Sequence, residues 1–300
     1  MDILRAQLPY TLKEADFPSL GQLYRGKVRD NYSKGDRIVM ITTDRLSAFD
    51  RVLTTVPFKG ELLNRLTTFW FEKTKDVAPN HILDVPDPSV LVVRKLTPLS
   101  LEMVVRGYLT GSLWREKNWK DYGLDLSGME KDQKFDKPIL TPSTKEEVGK
   151  HDLPISPAEL VRRGTITQKQ GDEMAEMALA LFKAGQDHAT KRGLILVDTK
   201  YEFGIDGSGK IWVIDEIHTA DSSRYWTKDH KNLDKEFFRQ WLISERKYQG
   251  EGPLPDIPDE VRAQLAGKYV ELVQTLTGEA PNLKVGDTRA RIEKALKAYL

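Results

Sequence analysis

Cysteine is absent from the 300 residues. That excludes disulfides, thiolate metal sites and cysteine nucleophiles, and it agrees with a cytoplasmic setting. An excess of one charge is absent too: the formal net charge is +1, so nothing in the balance argues for a nucleic-acid or membrane partner. No apolar run reaches the length of a bilayer span. The opening Met1-Asp2-Ile3-Leu4-Arg5 lacks the basic region and apolar core of a secretory leader, so none is expected. The histidines His81, His151, His188, His218 and His230 never fall at His-x-x-x-His spacing, which counts against a zinc hydrolase. Neither Gly-x-x-x-x-Gly-Lys-Ser/Thr nor Gly-x-Gly-x-x-Gly occurs, which removes a P-loop enzyme and argues against a Rossmann cofactor site. Internal repeats and low-complexity tracts are missing as well.

What is present reads as one or two domains with a sizeable core. Residues 22–56 have strand character: Leu23 to Tyr32 alternates as one strand, Ser33-Lys34-Gly35-Asp36 turns, and Arg37 to Thr42 returns. Residues 60–74 carry a helical apolar stripe through Leu62, Leu66, Phe69 and Trp70. Strands follow at 89–96 and 99–106, then an irregular stretch at 115–158, long enough to suggest a functional or lid-like role. A long helix at about 167–192 starts at the cap Thr167 and stops at Gly193. Further helices start at Asp234, near 258 after the Gly250–Pro255 linker, and near Asp287. Strands first, then strands mixed with helices, imply an α+β or mixed α/β fold with two lobes.

The densest chemistry lies between 194 and 224. Leu194 to Val197 opens a strand, residues 198–203 alternate charged with uncharged side chains, Asp206-Gly207-Ser208-Gly209 turns, and Ile211 to Ile214 returns. Period-two geometry puts Asp198, Lys200 and Glu202 on one face. A two-residue tip sets 202 opposite 213 and adds Asp215 to that face; a three-residue loop shifts the register by one and offers Glu216 instead. Two carboxylates beside a lysine suit magnesium and a nucleotide phosphate, because magnesium takes oxygen ligands and keeps several waters. The alternative is a salt-bridged solvent face.

Three other clusters carry charge. Tyr24-Arg25-Gly26-Lys27-Val28-Arg29-Asp30 places Lys27 and Arg29 on one strand face beside a glycine, which could hold a phosphate or simply face water. Asp44 to Asp50 follows a strand end and offers polar groups to a substrate, or forms a local turn. In Pro98 to Ser112, the residues Ser100, Glu102, Val104 and Arg106 share a face, and the strand opens into Gly107-Tyr108-Leu109-Thr110-Gly111-Ser112. That makes an anion pocket, or else a buried Glu102–Arg106 pair.

The Tyr24 to Asp30 and Pro98 to Ser112 blocks, with Asp198 to Gly204, Asp215-Glu216 and Asp221-Ser222-Ser223-Arg224, occur in the order found in SAICAR synthetases, and the chain closely resembles that family. The helices beyond 250 and the Thr141 to Asp152 segment resemble its longer, fungal-type branch. The resemblance implies a two-lobed α+β fold related to ATP-grasp enzymes, with a kinase-like N-terminal antiparallel sheet and C-terminal helices. The expected division is a β-rich lobe at 1–105, an ATP-grasp-like lobe at 106–250, and helices at 251–300 packed on the core. The implied reaction joins L-aspartate to an imidazole carboxylate ribotide with ATP and Mg2+, in a cytoplasmic monomer or small homo-oligomer. It further implies that Lys27 and Arg29 hold ATP phosphates, that Lys95, Glu102 and the backbone near Val104 surround adenine, and that Lys200 meets the transferring phosphoryl group. Glu202 and Asp215 are implied metal ligands. Arg106, Ser112 and Arg224 are assigned to the ribotide, Asp50 to its imidazole amine, and Ser143 and Lys145 to aspartate. Asp221 to Arg224 would close over the ribotide phosphate. Two rivals use similar parts. A kinase-like phosphotransferase would show His-Arg-Asp and Asp-Phe-Gly, which are missing; a non-catalytic nucleotide-binding module would not need two anion pockets.

Overall fold

The computed structural model describes residues 1–145 and 153–299. After helix α1 (Asp2–Gln7), strands β1 (Gln22–Arg25), β2 (Arg29–Lys34) and β3 (Arg37–Thr42) form an antiparallel meander. A small ribbon, β4 (Arg45–Ala48) and β5 (Arg51–Thr55), leads to α2 (Lys59–Lys73). Strands β6 (Ile82–Asp87) and β7 (Val90–Arg94) complete a five-stranded sheet in the order β1-β2-β3-β7-β6.

The second sheet is built on β8 (Thr97–Tyr108). Helix α3 (Gly111–Glu116) follows it, then β9 (Lys134–Leu140), β10 (Ser143–Thr144), α4 (Pro157–Arg162) and α5 (Gln168–Lys191). Strands β11 (Leu194–Ile205), β12 (Ile211–Ile214) and β13 (Ser223–Thr227) complete six strands, with β8 and β11 antiparallel at the centre. Helices α6 (Glu236–Arg246), α7 (Asp259–Thr277) and α8 (Thr288–Ala295) close the chain.

Several expectations change here. The alternating run Leu23–Tyr32 is two strands, not one. Gly26 N donates to Arg29 O at 2.8 Å, closing a tight turn in which Lys27 sits, so Lys27 and Arg29 do not share a strand face. Strand β6 was not legible: Pro86 lies inside it, which a sheet edge tolerates because an edge strand leaves N–H positions facing outward. The sheets part at Lys95–Leu96, not at residue 105, because β8 runs unbroken from 97 to 108 beside β11. The stretch 115–158 contains β9, β10 and the start of α4.

The main core lies behind the second sheet. Helix α5 starts with a capping box between Thr167 and Gln170 and lays Met174, Ala178, Leu181 and Phe182 against it. Full burial of such side chains contributes about 1.5–3 kcal/mol each. Gly185 permits the close approach: a Cβ there would sit 2.6 Å from Leu196. Helix α7 packs on α1, α2 and α6 and contributes to the main core, and Ile292 of α8 joins the core of the first sheet. Among the described residues no helix is long and apolar enough to cross a membrane.

Candidate active site

The pairing of β8 with β11 sets three charged positions in a row. Arg106 faces Asp198, Val104 faces Lys200, and Glu102 faces Glu202. Two glutamates directly opposite repel unless a cation intervenes. Lys200 Nζ donates to Glu102 and lies 3.3 Å from Glu202 Oε1, while Lys145, just after β10, donates to the other Glu202 oxygen. Burial works against the Lys200 charge, but Glu102, Glu202 and Asp215 outweigh it and raise its pKa well above the ordinary lysine value. Glu202 moves down: burial opposes its charge, and Lys200 and Lys145 overcome that.

The β11–β12 hairpin has the wider loop. Glu202 pairs with Ile214, not Val213, so the two-residue tip is overturned. The cause is Asp206, whose side chain accepts from Ser208 N, Lys210 N and Trp212 Nε1 and winds the turn open. That register alone would favour Glu216. Asp215, however, leaves the strand at φ 66°, and both carboxylates turn to Arg29. Arg29 Nη1 donates to Asp215 Oδ1 at 2.8 Å, and Nη2 lies 3.0 Å from Glu216 Oε2. Burial costs the Arg29 charge, yet Asp215 and Glu216 raise its pKa. Asp215 itself is pushed up to about 6: burial dominates, and repulsion from Glu202 and Glu216 offsets much of the help from Arg29. Glu216 is braced by Thr219 Oγ1 at 2.7 Å.

A 240 Å³ cavity opens onto Arg29, Lys145, Lys200, Glu202 and Asp215. An adjoining 430 Å³ cavity is lined by Arg106, Ser112, Asp198, Arg224 and Asp50, with Arg115 and Arg239. There Arg106 donates to Thr141 Oγ1 at 2.8 Å and to Ser112 Oγ at 3.2 Å; Arg224 Nη1 donates to Asp198 Oδ2 at 2.5 Å. Arg106 is thus held by Thr141, Ser112 and Asp198. Gly111 (φ 63°) is required: a Cβ would lie 2.7 Å from both terminal Arg224 nitrogens. Lys27 donates to Asp50 Oδ1 at 2.5 Å where the two cavities meet. A third cavity of 490 Å³ is more apolar, with Ile38, Met40, Val93, Leu96 and Ile214, and it joins the first at Tyr24, Lys145, Glu202 and Asp215.

Some assigned residues fall elsewhere. Lys95 is exposed and lines none of these three cavities; its neighbours Arg94 and Leu96 line the apolar one. Val104 lines the arginine-rich cavity and Glu102 lines both that cavity and the phosphate cavity, neither of them the apolar one, because the period-two face that carries Arg106 carries them too. Ser143 pairs with Glu102 through the backbone and lines none of the three, whereas Lys145 belongs to the carboxylate cluster. Asp221 is not a flap residue. It is an anchor, 2.8 Å from the fully buried Lys59 Nζ, 3.3 Å from Lys235 Nζ and 2.7 Å from Tyr269 Oη. Residues 146–152 of the expected aspartate-binding segment, with His151 and Asp152, lie outside the described residues. Sequence reasoning missed Arg115, Arg239 and Lys235. Asp234 gave the one usable signal: its carboxylate accepts from Glu236 N at 2.7 Å, so a cap marked a helix start but not the surface it faces.

Among the described residues no three histidine, aspartate or glutamate side chains form a ready-made metal site. The donor set nevertheless fits magnesium, which needs only one or two carboxylates beside phosphate oxygens and water. Asp215, with its raised pKa, is a carboxylate short of positive charge.

Comparison with known proteins places the chain in a family. The profile of the SAICAR synthetase family matches residues 22–255. A phosphoribosylaminoimidazole-succinocarboxamide synthase of Legionella pneumophila (strain Lens) is 44% identical over 292 residues, covering 91% of this chain and 93% of the relative. The chloroplastic enzyme of that name from Arabidopsis thaliana is 46% identical, covering 88% and 68%. Among solved structures, the SAICAR synthase of Saccharomyces cerevisiae in complex with SAICAR superposes with a TM-score of 0.80 at 32% identity, covering 91% of this chain and all of the other. A type-2 SAICAR synthetase in complex with ADP gives 0.71 at 28% identity, covering 87% and 100%. The chain therefore belongs to the SAICAR synthetase family.

Proposed function

We propose that the protein joins L-aspartate to the carboxylate of 5-amino-1-(5-phosphoribosyl)imidazole-4-carboxylate, with ATP converted to ADP and phosphate. The observation that carries this reading is the meeting of two cavities of different charge at Lys27, Glu102 and Lys200. One has the mixed lysine–carboxylate lining that suits a nucleotide phosphate with its metal. The other has the arginine excess that suits a phosphorylated acid. Adenine fits the apolar cavity, between Val93, Leu96 and Ile214 rather than against Lys95.

A free carboxylate resists attack by an amine, because oxide is a poor leaving group. Its oxygen first attacks the γ-phosphorus, the bond to the β–γ bridging oxygen breaks, and ADP leaves with that electron pair. The aspartate amine then adds to the acyl carbon, loses a proton, and expels phosphate as the amide forms. Lys200 sits where charge moves between the cavities and stabilises the transferring phosphoryl group. Lys27 and Arg29 steady the phosphates. Arg106, Ser112 and Arg224 hold the ribotide phosphate, and Asp50 faces the imidazole amine. Glu202 and Asp215 would hold magnesium, which supplies charge neutralisation to the phosphates. Lys145 acts here on Glu202, with aspartate entering beside it.

ADP release, measured with and without the ribotide and with and without L-aspartate, tests the reading. Full turnover that requires both supports it. ADP formation at the same rate without L-aspartate would overturn it in favour of a phosphotransferase.

A further inference from the structure

Six residues line both the phosphate cavity and the arginine-rich cavity, and three of them are lysines: Lys27, Lys200 and Lys235. The first two have carboxylates close at hand, Asp50 at 2.5 Å for Lys27, and Glu102 and Glu202 for Lys200. Lys235 differs. It sits at the N-cap of α6 with its side chain 9% exposed. Its carboxylate partner, Asp221 at 3.3 Å, is already engaged by Lys59 at 2.8 Å and by Tyr269 Oη at 2.7 Å. One carboxylate thus serves two buried ammonium groups, while Arg239, one turn further along α6 and itself met by Glu236 at 3.3 Å, adds to the positive field around Lys235. A buried cation that is under-neutralised, at the junction of two ligand cavities, is built to receive an anion.

Resting on the ligase reading, we propose that Lys235 is a catalytic residue that holds the reacting carboxylate of the ribotide. Its ammonium donates to the carboxylate oxygen that does not attack phosphorus. The other oxygen forms the new O–P bond as the bond to the ADP leaving group breaks. Lys235 keeps its proton throughout. In the next step it stays on the acyl oxygen, where negative charge grows as the aspartate amine adds. Arg106 and Arg224, which line the same cavity, are left to the ribotide's phosphate.

The free enzyme should report this in its pH dependence. Burial, opposed by Asp221 and reinforced by Arg239 and Lys59, brings Lys235 down to about 8. The anion-binding form is the protonated one, so kcat/KM for the ribotide should fall as pH rises through about 8. Steady-state kinetics on purified Lys235→Met and Lys235→Arg enzymes test the proposal. Lys235→Met should raise the ribotide KM and lower kcat/KM by roughly tenfold or more, while the ATP KM moves little. Lys235→Arg should keep measurable activity and lose the alkaline fall, since guanidinium stays charged. The proposal is overturned if Lys235→Met alters ATP and ribotide KM alike, or if Lys235→Arg keeps the same alkaline limb. Should the methionine variant not fold, the arginine profile alone decides. If wild-type ADP release proves independent of L-aspartate, the ligase reading fails instead, which the same assay distinguishes.

Discussion

The two charged clusters on the central strands lie only a few residues apart, yet they are built on opposite rules. Around Asp198, the carboxylate is gripped by Arg224 at 2.5 Å and approached by Arg106 at 3.4 Å, and those arginines are themselves braced by Ser112, Thr141 and Glu236. Around Glu202 and Asp215, carboxylates crowd one another and are bridged by lysines and one arginine. The first cluster is a fixed set of donors with charge to spare for an anion. The second holds Asp215 in a disfavoured ionised state until positive charge arrives. One sheet thereby presents an arginine-rich cluster and a carboxylate-rich cluster side by side, with Lys200 lining the cavities of both; in the proposed reaction that is where the phosphoryl group would cross.

The sharpest way to break that contrast is to remove the lysine between the clusters. Lys200→Met should lower kcat by about 10²–10³-fold, because a stabiliser of the transferring phosphoryl group is lost. It also leaves Glu102 and Glu202 facing each other, so the loss should exceed the change in either substrate's KM. Next in size is the arginine-rich cluster. Arg106→Met leaves Asp198 with one arginine fewer, and kcat/KM for the ribotide should drop about 30-fold or more while the ATP KM holds. An equal drop for both substrates would show that the two cavities are not divided as described.

The carboxylate-rich cluster separates Asp215 from Glu216, which sequence could not. Asp215→Asn should move the magnesium dependence of turnover to roughly tenfold higher concentration. Glu216→Gln should act on stability, because it weakens the Arg29 brace and the bond from Thr219, with a cost of about 1–3 kcal/mol in urea unfolding. The reverse assignment of these two effects would make Glu216 the ligand.

Period-two alternation made most of this site legible. Asp198, Lys200 and Glu202 on β11, and Glu102, Val104 and Arg106 on β8, all face one way, because a long central strand obeys the rule along its length. Prediction failed where the backbone departs from regularity. Lys27 lies in a turn that a Gly26–Arg29 bond closes, inside a run that still alternates. Asp215 adopts a positive φ that no pattern announces, and it rescues a carboxylate that the true register would have turned away. Arg115, Lys235 and Arg239 come from helices whose docking is decided by tertiary packing, so their spacing carries no local signal. The fold was legible in its two lobes and major helices. Its parting at Leu96 was not, since β7 and β8 read as similar apolar strands and only pairing tells them apart.

The smallest expected effect sharpens the comparison most directly, because it changes stability without any substrate. The folded-state pKa of Asp215 lies above its ordinary aspartate value, at about 6. The folded protein therefore holds a proton there that the unfolded chain releases between the ordinary range and about 6. Ionised Asp215 thus costs stability above that window, and the cost fades as pH falls through about 6 and below. Asparagine keeps the shape and removes the charge. At pH 7, without magnesium or nucleotide, Asp215→Asn should raise Tm by about 2–4 °C, and by less at pH 5. Calorimetry at the two pH values checks it. The matching change in the other cluster, Asp198→Asn, should instead lower Tm at both, since two buried arginines lose their counter-charge. A fall in Tm for both variants would mean that Asp215, like Asp198, is a structural ion-pair partner, and that the sheet carries one kind of cluster rather than two.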